Sequence, residues 1–208
     1  MRAGSAASRI SESDLPVDRI RAAKILHISG ISQAISSSAA DAAFAATDIA
    51  HDAQRLVSYD PNFRPKLWPL RRARAIIHEA MRACDIALPG FDDGQALTGR
   101  SAPDAIVDFY LKLGAPVVVL KLGKEGAIVA TLKRRERIAA HAVKAVDATG
   151  AGDCFDGAFL TEYVRLGDPF AAARFANVAA ALSTLGYGAV APLPRRADVE
   201  AAIAARAP

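Results

Sequence analysis

The chain of 208 residues is 52% hydrophobic and carries a formal net charge of +4, which suits one sizeable domain or part of a larger protein. No apolar run approaches the roughly 20 residues of a membrane-spanning helix, and the basic clusters lack the interleaved aromatic residues of nucleic-acid-binding surfaces. Two widely separated cysteines, Cys84 and Cys154, do not make a disulfide framework. We therefore expect a cytoplasmic protein that binds neither nucleic acid nor membrane.

Apolar runs of strand length alternate with amphipathic segments along the chain. The predicted strands are residues 24–29, 55–60, 84–89, 116–122 and 126–133. The predicted helices are residues 12–24, 39–54, 71–83, 102–113, 154–166, 169–185 and 197–205. The strand interiors are nearly continuous in apolar residues, which is typical of parallel strands covered on both faces. The alternation predicts a doubly wound α/β sheet. The short glycine-bounded link GKEG before the last strand predicts a hairpin that makes the sheet mixed.

The segments that follow the first four predicted strands carry glycine, charge or both. These segments are residues 30–32, 60–64, 90–93 and 123–126. Ligands bind beyond the carboxyl ends of the strands in open α/β sheets, so parallel strands bring such segments to one edge. The sequence thus predicts a binding site built from these loops.

The stretch AVDATGAGDCFDGAFL, residues 145–160, combines a small-residue loop, a carboxylate and the start of a helix. Gly150, Ala151 and Gly152 allow a ligand to approach the backbone N–H groups closely, and helix N-termini attract phosphate. Asp153, at the start of the helix, is stabilised in its ionised form and suited to accept a proton. The same residues also fit a simple helix cap beside a glycine turn. One apolar helix face is predicted from Phe155, Phe159 and Tyr163.

The fuller string D-A-T-G-A-G-D, followed by an aromatic residue and G-A-F, resembles the signature of the ribokinase-like (PfkB) carbohydrate kinases. The resemblance covers essentially the whole chain, with SGIS, DPNFR, KLGKEG and NVAAALSTLGYGAVAPLP in the expected order. Within the family, RAGSAAS and YDPNFRPKLW are most similar to the 2-keto-3-deoxygluconate kinases. The resemblance implies ATP-dependent phosphorylation of a sugar acid, 2-keto-3-deoxygluconate, to its 6-phosphate, with Mg²⁺.

The resemblance also implies roles for individual residues. Asp153 matches the catalytic base, and residues 150–152 match the anion hole. The residues implied to contact the sugar acid are Arg2, Ile31, Arg64 and Asp153. The residues implied to bind the nucleotide are Asn62, Arg64, Gly90, Lys121, Gly123, Lys124, Gly126 and Asn177.

The sequence departs from the family pattern at its proposed ion sites. The N-x-x-E element tied to magnesium is replaced by Gly90-Phe91-Asp92-Asp93, which keeps one acid, Asp93, as the candidate Mg²⁺ ligand. Asp147 and Thr149 match the monovalent-cation ligands of some relatives, so K⁺ is a possible further cofactor. The later segment GYGAVAP offers no side-chain oxygen after Tyr187 to complete such a site.

Relatives of the family extend further at the N-terminus, where the resemblance places the first strands, a sugar-gripping glycine pair and a small β lid. We therefore expect one truncated domain over residues 1–208, with a ribokinase-like, mainly parallel sheet flanked by helices and no β lid. We also expect a poor kinase that still binds nucleotide and assembles as a homo-oligomer. A fragment, a late start and a natural short form remain open. Another sugar kinase, such as a fructokinase or ribokinase, and a catalytically incompetent nucleotide-binding remnant are the alternative functions.

Overall fold

The computed structural model describes residues 4–205 and contains one mixed six-stranded sheet flanked by helices. The strands, in their order across the sheet, are β1 (Ile25–Ser29), β2 (Leu56–Asp60), β3 (Ile86–Ala87), β4 (Val117–Lys121), β5 (Ala127–Thr131) and β6 (Arg135–Ile138). The α-helices are α1 (Val17–Ala22), α2 (Gly30–Gln33), α3 (Ser37–Asp52), α4 (Leu70–Ala83), α5 (Phe91–Thr98), α6 (Pro103–Leu113), α7 (Ala151–Leu166), α8 (Pro169–Ser183) and α9 (Arg196–Ala204). The predicted α/β fold, with a mainly parallel sheet, is thus confirmed.

The chain divides into two compact units. The first unit contains the described residues up to Leu120 together with Ala130–Lys133, and the second contains Lys121–Val129 and the described residues from Arg134 onward. The prediction of one domain over the whole chain stays a prediction. No second sheet, such as a β lid, is present within residues 4–205, and no helix in that range is long and apolar enough to cross a membrane.

In the first unit the strands pair in parallel, β1 with β2, β2 with β3 and β3 with β4. Ser29 lies opposite Asp60 at the carboxyl ends of β1 and β2, so the segments after these strands start side by side. Of the residues of β1, at the edge of the sheet, only Ile28 is buried. The interiors of β2, β3 and β4 are buried, with Val57, Tyr59 and Val118 at most 1% exposed. Parallel strands covered on both faces bury both sets of side chains in this way.

The sequence-based boundaries differ from the structure at several places. The predicted helix 12–24 is wrong as one helix: a 3₁₀ turn at Glu12–Asp14 is separated from α1 by Leu15 and Pro16, because proline disfavours helical backbone in the residue before it. The short helix α2 was not predicted. The predicted strand 84–89 contains only β3, because Pro89 lacks an N–H group with which to continue the ladder. The helix α5 was not predicted. It ends at Gly99, which has the left-handed backbone (φ +72°) that commonly follows the last residue of a helix. The strand β6 was missed because three of its four residues, 135–137, are charged and only Ile138 is buried.

The links on either side of β5, residues 122–126 and 132–134, are too short for a parallel crossover, so they form hairpins. Helix α7 presents the predicted apolar face, along which Phe155 stacks on Phe159 with ring centroids 6.3 Å apart. Phe159 stacks in turn on Tyr163 at 5.9 Å. Glu162 forms one ion pair with Arg165, a turn further along α7, and another with Arg196, which connects α7 with α9.

Candidate active site

The loop before α7 is held by the side chain of Asp147. Its Oδ1 atom accepts hydrogen bonds from the Thr149 N–H group at 2.9 Å and the Thr149 hydroxyl at 2.7 Å. Its Oδ2 atom accepts from the Gly188 N–H group at 2.9 Å. The bond from Gly188, followed by those from Thr149, lowers the pKa of Asp147. The two predicted ligands of a monovalent cation are therefore in contact, and they fix the loop to the segment around Gly188.

Gly150 turns the chain into α7 with φ +77°, in the left-handed region. A side chain there would also meet Ala189, because its Cβ would lie 2.7 Å from the Ala189 Cβ atom. The Ala151 N–H group donates to the Ala148 carbonyl at 3.1 Å. The anion hole predicted over residues 150–152 is thus a glycine turn followed by the first backbone amides of a 16-residue helix. The first N–H groups of a helix have no partner inside it and favour anions.

Asp153 lies in the first turn of α7 and is exposed. With Gly150 it lines an open groove of about 400 Å³, whereas Ala151 and Gly152 line a separate cavity. The start of α7 therefore borders two spaces, with the candidate base on one of them and the small-residue turn on both. An exposed carboxylate at this position is accessible to a substrate, as a proton acceptor must be.

The cavity beside Gly152 has a volume of about 640 Å³, within the usual range for small-molecule sites. Its walls are mainly small apolar residues from the segment after β6 and from α8: Ala139, Ala140, Ala142, Val143, Ala180 and Ala181. Its polar and charged lining residues are Lys121, Lys124, Glu125, His141, Asn177 and Thr184. Five predicted nucleotide-binding residues, Lys121, Gly123, Lys124, Gly126 and Asn177, are thus brought together around one space.

The glycine-rich hairpin on one side of this cavity requires glycine at Gly126. The Leu122 N–H group bonds to the Gly126 carbonyl at 2.8 Å, and Gly126 has φ +92°. A Cβ atom at Gly126 would overlap the Ile138 carbonyl oxygen and lie 2.7 Å from the Ala140 nitrogen. Only glycine lets the hairpin pack this closely on the backbone of the opposite cavity wall.

Asn177 on α8 is buried and reaches the same wall. Its side-chain Nδ2 lies 3.4 Å from the carbonyl oxygens of both Ile138 and Ala139. These are long hydrogen bonds, so each is weak. Asn177 therefore helps to hold the segment that lines the cavity, and its predicted position near the nucleotide base stays a prediction.

Lys121 and Asp156 form a buried ion pair beside this cavity. The Lys121 Nζ atom lies 2.8 Å from both carboxylate oxygens of Asp156, and the side chains of Lys121 and Asp156 are 13% and 3% exposed. The sequence predictions missed Asp156. A charge inside the apolar stripe that includes Phe155 and Phe159 was the signal that could have identified it.

The first unit assembles the other predicted residues around the loop after β2. The Asn62 N–H group donates to Asp60 Oδ1 at 3.2 Å, and the Phe63 N–H group donates to Asp93 Oδ2 at 3.1 Å. Arg64 donates to the Phe63 carbonyl at 3.1 Å and is exposed. The predicted acid Asp93 thus holds the backbone of the DPNFR segment with one carboxylate oxygen.

The remaining predicted residues occupy less distinctive positions. Gly90 precedes the first turn of α5, which contains Asp93, and Ile31 is half-buried in α2. Arg2 lies outside the described residues. No cluster of three or more His, Cys, Asp or Glu side chains that could hold a metal occurs within residues 4–205. A lone Asp93 is compatible with Mg²⁺, which proteins commonly bind through one or two carboxylates together with substrate phosphates.

Comparisons with known proteins agree with these features. A family model described as pfkB family carbohydrate kinase matches residues 2–196. The 2-dehydro-3-deoxygluconokinase of Bacillus subtilis (strain 168) is 37% identical over 156 residues, covering 74% of this chain and 48% of that protein. A protein of Arabidopsis thaliana named "Probable fructokinase-5" is 37% identical over 209 residues, covering 94% of this chain and 63% of that protein.

A solved structure shows the same fold. The fructokinase from Vibrio cholerae O395, in a form with bound fructose, ADP and calcium ion, has a TM-score of 0.87 and 29% identity. The match covers 96% of this chain and 66% of that chain. This chain therefore spans between about half and two thirds of the length of these relatives.

Proposed function

Because this chain belongs to the pfkB family of carbohydrate kinases, we propose that it transfers a phosphoryl group from ATP to a sugar hydroxyl. The observation that carries the proposal is the start of α7 in the second unit. There the small-residue turn, the first helix amides and Lys121 border the 640 Å³ cavity, while Asp153 borders the neighbouring groove. Phosphoryl transfer requires mainly positioning and charge stabilisation, with one group to orient the attacking hydroxyl.

In the proposed reaction Asp153 accepts the proton of the sugar hydroxyl. The hydroxyl oxygen forms a bond to the γ-phosphorus as the bond to the bridging oxygen breaks, and ADP leaves. The backbone amides that follow Ala151 stabilise the charge on the transferring group. We assign this contact to those later amides because the Ala151 N–H group already donates to Ala148.

The nucleotide is assigned to the cavity of the second unit. Its apolar wall suits a flat base, and Lys121 and Lys124 supply positive charge for phosphates. Bound Mg²⁺ would neutralise phosphate charge during transfer, and Asp93 is its proposed ligand. A K⁺ ion at Asp147 and Thr149 remains part of the proposal.

The proposed acceptor is the sugar acid 2-keto-3-deoxygluconate. The Bacillus subtilis relative supports this choice by its name. Arg64 supports it by its chemistry, because a guanidinium fork suits a carboxylate and this side chain is exposed. Fructose is the second candidate, supported by the equal identity of the Arabidopsis thaliana relative. Cytoplasmic location and homo-oligomeric assembly are further proposals; the free thiols of Cys84 and Cys154 agree with the first.

The substrate proposal is tested by measuring sugar-dependent ADP release with 2-keto-3-deoxygluconate, fructose and ribose at matched concentrations. We expect the highest kcat/KM for the sugar acid. A higher kcat/KM for fructose would make fructose the proposed acceptor and leave the assignment as a kinase unchanged. ADP binding without turnover on any of these sugars would favour a nucleotide-binding remnant.

A further inference from the structure

The ion pair between Lys121 and Asp156 is costly to bury. Removing two charges from water carries a desolvation penalty that their attraction often only offsets, and apolar replacements of similar volume are often at least as stable. A structural need to connect β4 with α7 therefore does not by itself explain why this pair is charged. What an ion pair adds is an ammonium held in one place.

The position of that ammonium points to its use. The Lys121 Nζ atom lies 3.9 Å from where a Cβ atom on Gly152 would stand, so it lies beside the first turn of α7. Lys121 and Gly152 both line the 640 Å³ cavity, whereas Asp156 does not. The carboxylate is thus on the protein side of the pair and the ammonium on the cavity side, next to helix amides that favour anions.

We propose that Asp156 is a positioning residue that holds the Lys121 ammonium where it binds the phosphates of a nucleotide in this cavity; the inference rests on the function proposed above. A lysine side chain is flexible and loses much rotamer freedom when it binds. Two hydrogen bonds to one carboxylate fix the ammonium before the ligand arrives.

The test separates the contribution of the phosphates to binding from the contribution of the nucleoside. Calorimetry on the 208-residue chain gives the dissociation constants of ADP and adenosine, and their ratio reports the phosphate-dependent part of binding. Asp156→Asn and Lys121→Met are each expected to lower the adenosine-to-ADP ratio by about tenfold or more, since charge-assisted hydrogen bonds are the strong ones. Asp156→Glu keeps the charge but displaces it by one methylene, and it is expected to give an intermediate ratio.

Two variants control for a purely structural role. Glu162→Gln changes another buried carboxylate on α7 that lines neither space, so it should lower the Tm and leave the ratio unchanged. The double variant Lys121→Met with Asp156→Leu removes both charges; its Tm should recover relative to Asp156→Asn, but its ratio should stay low.

The outcomes are distinguishable. A wild-type ratio in folded Asp156→Asn or Asp156→Glu would overturn this inference and leave the nucleotide site intact. A wild-type ratio in the double variant would show that the pair serves the fold alone. A wild-type protein that binds ADP no better than adenosine would overturn both the inference and the proposed function. If Asp156→Asn fails to fold, Asp156→Glu decides the question.

Discussion

Replacing Gly126 by alanine should damage the proposed nucleotide cavity far more than the same change at Gly123. Both glycines have positive φ, +58° at Gly123 and +92° at Gly126. Such backbone costs an alanine about 1–2 kcal/mol at Gly123 and at least as much at Gly126, where ψ is −129°, outside the left-handed helical region. Gly123 has open space where a Cβ atom would stand, so it bears that cost alone. At Gly126 the Cβ atom would overlap the Ile138 carbonyl and approach Ala140, which adds about 1–3 kcal/mol for forced backbone movement.

Gly126→Ala is therefore expected to lower the free energy of unfolding by about 2–5 kcal/mol, and Gly123→Ala by about 1–2 kcal/mol. Urea unfolding followed by far-UV circular dichroism measures both losses. The displaced segment 139–140 lines the cavity, so ADP affinity should fall more with Gly126→Ala than with Gly123→Ala, because Gly123 lines the same cavity but its substitution displaces no backbone. Equal destabilisation by the two substitutions would refute the argument that close backbone approach requires glycine at Gly126.

Three further predictions concern other parts of the chain. Arg64→Ala should weaken sugar-acid binding by about 1.5–3 kcal/mol and neutral-sugar binding much less. Lys66 is an exposed cation of the same loop, so Lys66→Ala is the control. Equal losses of affinity for both ligands in Arg64→Ala would exclude a carboxylate contact. Burial raises the pKa of Cys84 to about 12, so iodoacetamide at about pH 8 should label half-buried Cys154 first. Mass spectrometry that shows Cys84 labelled first in the folded protein would contradict this. Hydrogen bonds from Arg165 and then Arg196 lower the pKa of Glu162, so its stabilisation should be present at neutral pH and lost as pH falls through the lowered pKa. Glu162→Gln should cost about 1–3 kcal/mol at pH 7 and progressively less as the pH falls below 4.5, the ordinary pKa of the group; a pH-independent difference in unfolding free energy would contradict this.

Features with a local signature could be predicted from the sequence. The strand runs, the glycine turn before α7 and the apolar face of α7 each depend on neighbouring residues, and the structure confirms them. The grouping of Lys121, Gly126 and Asn177 around one cavity agrees with the resemblance to the family. Their individual contacts to nucleotide stay predictions.

The features that were missed depend on partners distant in sequence. Asp156 pairs with Lys121, 35 residues away, and nothing near either residue marks the other. The cavity wall at Ala139–Ala140 has no polar side chain to reveal it. The strand β6 is charged at residues 135–137 because only Ile138 is buried, so its sequence resembles a basic surface segment. In each case tertiary contacts, which local patterns do not encode, decide the structure.

The central claim is that Asp153 removes the proton during phosphoryl transfer to a sugar acid. The direct measurement compares ATP turnover dependent on 2-keto-3-deoxygluconate in the wild-type chain and in Asp153→Asn, with ADP affinity determined on the same samples. We predict measurable turnover by the wild type, a fall of about 10²–10⁴-fold in the variant, and nearly unchanged ADP binding because the loop amides remain. Equal turnover by the two proteins would contradict the assignment of Asp153 as the base.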